Sequence, residues 1–238
     1  RYQPVYQEHH LSGVEFRITA AEDIVTLDGT VRYPKGKVVD TITTDENGIA
    51  SSKELYLGSY QMEETNVPAG MVKPEPHTVE LTYAGQEVEV TELEESIYNQ
   101  RQRVSLRWNK AMEQDKLFGV QGELQSVVFG IYAAEEIQAQ DGSVIPKDGL
   151  IELVSCDENG MVAFQSDLPV NHSYYVQEYK TDSAYILDST KYPVNTVVSD
   201  QSMEVIEISV NNGEPIENEI IRGTVEGKKV DEDGNSIE

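Results

Sequence analysis

Hydrophobic and polar residues alternate with a period of two along most of this chain, the spacing of half-buried strands. Val104, Leu106 and Trp108 alternate with Ser105, Arg107 and Asn109, and Val79, Leu81 and Tyr83 repeat the pattern. Val205, Ile206, Ile208 and Val210 form a further β-branched run. Asn-Gly pairs at 47–48 and 159–160 fit tight hairpin turns that need φ > 0. No stretch carries a long helical period with caps, and one short helical turn at Ala20–Ile24 and another at Ala133–Ile137 are the most the pattern allows. The expectation is an all-β chain.

The pattern also repeats. Phe16-Arg17-Ile18-Thr19-Ala20-Ala21-Glu22 returns as Phe129-Gly130-Ile131-Tyr132-Ala133-Ala134-Glu135, 113 residues later. Asp45-Glu46-Asn47-Gly48 returns as Asp157-Glu158-Asn159-Gly160, and Ser59-Tyr60 through Glu64 returns as Ser173-Tyr174 through Glu178, with spacings of 112 and 114. The order is kept and the drift is small, so two homologous modules are expected. A period near 110 residues suits a single β-sandwich. The expected boundaries are 1–103 and 104–222, with 223–238 as the first strand of a following module, read from Thr224-Val225-Glu226-Gly227-Lys228-Lys229-Val230.

The informative residues are polar ones on apolar faces. Stepping by twos from Val104, Leu106 and Trp108 leads to Lys110. Tyr174 and Val176 lead to Glu178, and Tyr60 and Met62 lead to Glu64. Ile216 leads to Asn218 and Ile97 to Asn99. Either the alternation slips at these strand ends and the groups face water, or Lys, Glu and Asn are buried together. Burial of an unpaired Lys or Glu costs several kcal/mol, so it calls for a partner or a task. The three types together have a chemistry. A lysine kept neutral by burial attacks the side-chain carbonyl of asparagine and expels ammonia, while a protonated glutamate polarises the amide and moves protons.

Composition narrows the remaining classes. The formal net charge of -25 argues against nucleic acid and anionic membrane surfaces, both of which need clustered cations. No run approaches the roughly 20 apolar residues of a membrane span. No signal peptide opens the chain, and a first residue of Arg rather than Met suggests a piece of something longer. The single cysteine, Cys156, excludes an internal disulfide and reads as a small core residue. The 4 histidines have no zinc-site spacing, and the Asp-Glu-Asn-Gly turns lack an EF-hand's ladder of ligands. No metal or cofactor is therefore expected, and no phosphate loop or nucleophile elbow is present in the sequence.

Several segments resemble the Cna protein B-type modules of Gram-positive surface proteins, in particular the SpaA-type, isopeptide-forming, pilin-related proteins and adhesins. They are Leu11-Ser12-Gly13-Val14-Glu15-Phe16, Thr43-Thr44-Asp45-Glu46-Asn47-Gly48, and the stretch from Leu57-Gly58-Ser59-Tyr60 through Glu64-Thr65 to Pro68-Ala69-Gly70. The resemblance implies two tandem transthyretin-like sandwiches of reversed immunoglobulin type with Greek-key connections. It also implies an intramolecular Lys–Asn isopeptide bond per module, with the lysine on the first strand, the asparagine on the last and the acid on a middle strand of the facing sheet. By position, module 2 has Lys110, Asn218 and Glu178. Module 1 has Asn99 and Glu64 but no lysine between Arg1 and Gly13, so its lysine either precedes Arg1 or the bond is lost. Lys35, Lys37, Lys53 and Lys73 match no family position, and Lys229 is the candidate of the following module.

The function this implies is that of a stalk or adhesin repeat in an extracellular, cell-wall-anchored protein, with neighbouring modules of the same chain as its partners. The bond forms once and does not turn over, so no enzyme is expected. The competing readings are a module whose loops bind a host protein or glycan, and an accessory domain of an enzyme.

Overall fold

The structure, a computed structural model, describes residues 1–114, 122–139, 141–164, 166–230 and 232–234. In the first module the strands are β1 (Glu15–Ala20), β2 (Ile24–Val25), β3 (Val31–Tyr33), β4 (Val38–Thr43), β5 (Gly58–Glu64) and β6 (His77–Leu81). The second contains β7 (Arg103–Met112), α1 (Glu123–Ser126), β8 (Val128–Ala133), β9 (Ile137–Gln138), β10 (Val144–Ile145), β11 (Leu150–Ser155) and β12 (Met161–Ala163). It continues with β13 (Leu168–Pro169), β14 (Ser173–Lys180), β15 (Tyr192–Asn195), β16 (Val205–Ser209) and β17 (Ile216–Asn218).

The repeat in sequence is a repeat in topology. One sheet has the order β4-β1-β5-β6 and its counterpart the order β11-β8-β14-β15, both antiparallel. Each module adds a two-stranded hairpin, β2-β3 or β9-β10. Equivalent residues hold equivalent places: Phe16 pairs with Glu64 across β1 and β5, and Phe129 pairs with Glu178 across β8 and β14. Tyr60 and Tyr174 are both buried, and each hydroxyl donates to a carbonyl just upstream, of Tyr56 and Pro169 respectively.

In module 2 a second sheet faces the first. Its axis is β7, whose ten residues alternate between core and solvent. β7 pairs antiparallel with β12 and β13 and parallel with β16 and β17. The sandwich interior lies between the two sheets, with Trp108 set edge-on to Phe129 at 5.5 Å between ring centroids. Parallel neighbours of β7 place the first and last strands of the module side by side, the feature on which the site depends.

The turn chemistry differs in detail from expectation. In both Asp-Glu-Asn-Gly loops only the glycine has positive φ, Gly48 at 74° and Gly160 at 80°. The aspartate side chain accepts from the backbone two and four residues on, so each loop is a three-residue connection with a left-handed glycine rather than a two-residue turn with Asn in the left-handed region. Ala20–Ile24 and Ala133–Ile137 hold bends that lead into β2 and β9, not helical turns. The described α-helix is α1, which the polar sequence around it did not announce. Of residues 223–238, expected as the first strand of a following module, 223–229 are exposed and in no strand, and 231 and 235–238 lie outside the described residues.

The modules meet through a dense joint. Gln102 is fully buried, and its side-chain nitrogen donates to the carbonyls of Asp200 and Met203 at 2.8 Å each. Arg101 forms a two-pronged ion pair with Asp167 and lies over the Tyr6 ring at 3.3 Å. A backbone bond runs from Lys73 N to Gln201 O, and Gln201 Nε2 donates to Pro68 O.

Candidate functional site

Each residue of the module 2 triad is brought to its place by strand alternation. Val104, Leu106, Trp108 and Lys110 all point into the core along β7, and Lys110 is 3% exposed. Glu178 extends the inward row of β14 and is 4% exposed. Asn218 extends the inward row of β17 and is 2% exposed. The register pairs Ile216 with Lys110 and Asn218 with Met112, so lysine and asparagine stand on adjacent parallel strands with the acid on the opposite sheet.

The three side chains meet through the carboxyl group. Lys110 Nζ lies 3.8 Å from Glu178 Oε1, with both side chains shielded from water. Asn218 Nδ2 donates to Glu178 Oε2 at 2.8 Å and also to the Ile186 carbonyl. Lys110 Nζ donates to the carbonyls of Ile216 (2.8 Å) and Ala111 (3.0 Å). Glu178 Oε2 accepts a further bond from Asp188 N at 2.8 Å. Two acceptors, Glu178 Oε1 and Asn218 Oδ1, have no hydrogen-bond partner. Leaving a buried acceptor unmade costs about 1–3 kcal/mol.

The electrostatics follow from burial. Removal from water pushes the Lys110 pKa down, against the attraction of Glu178. The same desolvation pushes the Glu178 pKa up, against the bonds from Asn218 and Asp188. Both shifts favour the neutral pair: an amine with a free electron pair and a carboxyl carrying a proton. Cys156, nearby in the core, has its thiol pushed up to about 12 by burial and is no nucleophile.

Sequence reasoning missed two supports. One is the 181–191 segment, which supplies Ile186 O and Asp188 N to the site and is tied to the chain after β17 by the Tyr185–Ile220 bridge. The other is Gly160. A Cβ there would stand 2.2 Å from the Lys110 carbonyl oxygen, and Gly160 O accepts from Lys110 N at 2.7 Å. The Asp-Glu-Asn-Gly loop was legible in the sequence, but its contact with the lysine strand was not.

Module 1 holds two thirds of the same arrangement. Glu64 is 2% exposed on β5, and Asn99 Nδ2 donates to both its oxygens at 3.0 and 2.9 Å. Desolvation raises the Glu64 pKa. Lys73 is half exposed and pairs instead with Glu63 at 2.9 Å. Among the described residues, no lysine lies within ion-pair distance of Glu64, and no cluster of His, Cys, Asp or Glu is fit to hold a metal ion. No described helix is long and apolar enough to cross a membrane.

A family profile described as the SpaA prealbumin-like fold domain matches the chain twice, at residues 5–95 and 112–214. The chain belongs to this SpaA family of prealbumin-like domains. Among solved structures it is similar to the Bacillus anthracis TIE protein at 18% identity and a TM-score of 0.52, covering 96% of this chain and 38% of that one. The chain thus spans well under half the length of that relative, and the likeness is one of fold. It also overlaps GBS52, the minor pilin of Streptococcus agalactiae, at 16% identity and TM-score 0.35, covering 93% and 88% of the two chains. The D295N mutant of the shaft pilin SpaA of Lactobacillus rhamnosus GG matches at 15% identity and TM-score 0.29, covering 90% of each chain. No curated protein matches the chain. As SpaA-family modules, the two halves of the chain are tandem prealbumin-like β-sandwich domains.

Proposed function

We propose that the chain is a load-bearing repeat of a Gram-positive surface or pilus-like protein, and that module 2 cross-links itself through an isopeptide bond between Lys110 and Asn218. The observation that carries this reading is the buried contact of Glu178 with both other groups, Oε1 toward the amine and Oε2 on the amide nitrogen. In the proposed step, neutral Lys110 Nζ adds to Asn218 Cγ. The Nζ–Cγ bond forms, the Cγ–Nδ2 bond breaks, and one proton passes from the amine through Glu178 to the departing nitrogen, which leaves as ammonia. Because Nδ2 is the amide atom facing Glu178, the geometry favours proton delivery to the leaving group over polarisation of the carbonyl. The fold supplies proximity, so no cofactor or outside substrate is needed and the protein is not a turnover enzyme.

Adjacent β7 and β17 make this bond a clamp between first and last strands. Tension that enters along β7 leaves through β17 without peeling the sheets apart. The buried joint at Gln102 continues the load path into module 1. An extracellular setting, anchorage outside this chain and partnership with neighbouring modules belong to the same proposal. The test is the intact mass of the denatured protein: the reading requires a monomer lacking one ammonia, and a monomer of full mass refutes it.

A further inference from the structure

The segment that follows the acid strand is built alike in the two modules. In module 1, Gln102 N donates to Gly70 O, Val72 N donates to Gln100 O, and Met71 bridges Arg101. In module 2, Ile221 N donates to Ala184 O, Ile186 N donates to Glu219 O, and Tyr185 bridges Ile220. Counted from Glu64 and from Glu178, these positions coincide residue for residue. Pro74 in module 1 therefore stands where Asp188 stands in module 2.

That exchange falls on the site. Asp188 N donates to Glu178 Oε2 at 2.8 Å, beside the bond from Asn218 Nδ2 to the same oxygen. A proline has no N–H to give. The same segment also supplies Ile186 O, which accepts from Asn218 Nδ2. Two donors thus gather on Oε2, while Oε1 has no hydrogen-bond partner and stands 3.8 Å from Lys110 Nζ. Asp188 is itself held in place. Its carboxylate accepts from Thr190 N at 2.9 Å and from the Tyr192 hydroxyl at 2.6 Å, a local turn that aims the N–H at the acid.

We propose that Asp188 is a positioning residue for the module 2 bond: its backbone N–H, acting through Glu178, fixes the rotation of the carboxyl so that Oε1 meets the amine and Oε2 meets the amide nitrogen. The proposal rests on the isopeptide chemistry proposed above and adds no step to it. A carboxyl that takes a proton from one group and gives one to another needs each oxygen kept on its own partner. The bond from Asp188 N supplies that constraint from outside the reacting groups.

The test compares Asp188→Pro with Asp188→Ala in the full chain. Both lose the carboxylate, and only the proline variant loses the N–H. Chain made cell-free is quenched in denaturant before it links, diluted into buffers of different pH, and sampled by intact mass for the loss of ammonia. A displacement of about 1 Å at a reacting group can cost about 10²-fold, so Asp188→Pro is expected to link roughly 10²-fold more slowly than Asp188→Ala. The pH profile separates positioning from a looser fold. Lys110, Asp188, Tyr192 and Cys156 are the titratable groups around Glu178. The N–H on Oε2 favours the carboxylate, so its loss carries the break that Glu178 sets to higher pH, whereas a looser fold lowers the rate at every pH alike. Should the proline variant not fold, an ester in place of the 187–188 peptide bond deletes the same N–H and keeps the side chain. It is expected to show the same slowing and the same shift against wild type. Equal rates and profiles in the paired proteins overturn the proposal and leave the module 2 bond standing, as does a slowing with no shift. Wild type that keeps its full mass at every time refutes the isopeptide chemistry and this role with it.

Discussion

Lys110 Nζ and Glu178 Oε1 stand 3.8 Å apart with neither side chain open to water. A permanent ion pair in that position gains little over a hydrophobic pair of equal volume; in the proposed bond formation its role is proton transfer. Glu178→Gln keeps the size and the polar contacts to Asn218 and Asp188 but removes the acid. Positioned acid–base groups contribute about 10²–10⁴-fold. The variant is expected to fold and to lose its ammonia slower by that order, followed as mass against time after refolding.

Asn218→Ala leaves the Lys110 amine free inside the core. In the chain-entropy model a link closing about 100 residues contributes about 4.7 kcal/mol, so its loss should lower the unfolding free energy by several kcal/mol and the denaturant midpoint with it. The variant should also gain a pH dependence. Burial holds the Lys110 pKa below its ordinary 10.5, so between the lowered value and 10.5 the unfolded chain binds more protons than the folded one. Stability must rise with pH across that window. Glu178, raised above 4.5 by burial, acts in the opposite sense, and stability falls as pH climbs from 4.5 through its folded value. In the linked protein the lysine nitrogen is an amide and the alkaline rise is absent. Urea unfolding of both proteins over the pH range checks this.

Gly160 is the backbone seat of the lysine. Gly160→Ala combines a strained φ of 80° with a Cβ that would stand 2.2 Å from the Lys110 oxygen. Gly142, at φ 84° with open space around it, is the control that has the strain without the clash. Gly160→Ala should destabilise by more than about 1 kcal/mol beyond Gly142→Ala and slow bond formation, read by thermal unfolding and by the mass time course.

The joint is predicted to be stiff because of Gln102 rather than Arg101. The Arg101–Asp167 pair is about one-third exposed on each side, and such pairs contribute about 0–1 kcal/mol. Gln102→Ala strands the carbonyls of Asp200 and Met203, at about 1–3 kcal/mol each. Heteronuclear relaxation should show the modules tumbling together in wild type and in Arg101→Ala, and separately in Gln102→Ala.

Much of this was legible in the sequence, because alternation and repetition are local signals. Lys110, Glu178, Asn218 and Glu64 were marked by continuing apolar rows, and all four are buried. Asn99 was marked the same way from Ile97, and it contacts Glu64. What stayed hidden depends on the third dimension. Nothing local reveals that Gly160 backs onto Lys110, that Ile186 and Asp188 reach the site from a strandless segment, or that Gln102 is buried among carbonyls from the other module. The short helical turns the pattern allowed at Ala20–Ile24 and Ala133–Ile137 are bends, because two alanines and an acid suit a bend into a short hairpin equally well. The Asn-Gly turns hid a third loop residue that only the bonds to Asp45 and Asp157 disclose.

The central claim is a covalent one, and a protease reads it directly. Trypsin digestion of the denatured protein followed by tandem mass spectrometry should yield a branched peptide in which the Lys110 side chain is joined to the Asn218 side chain, with no cleavage after Lys110. Cleavage at Lys110, together with an Asn218 peptide of unaltered mass, contradicts the account.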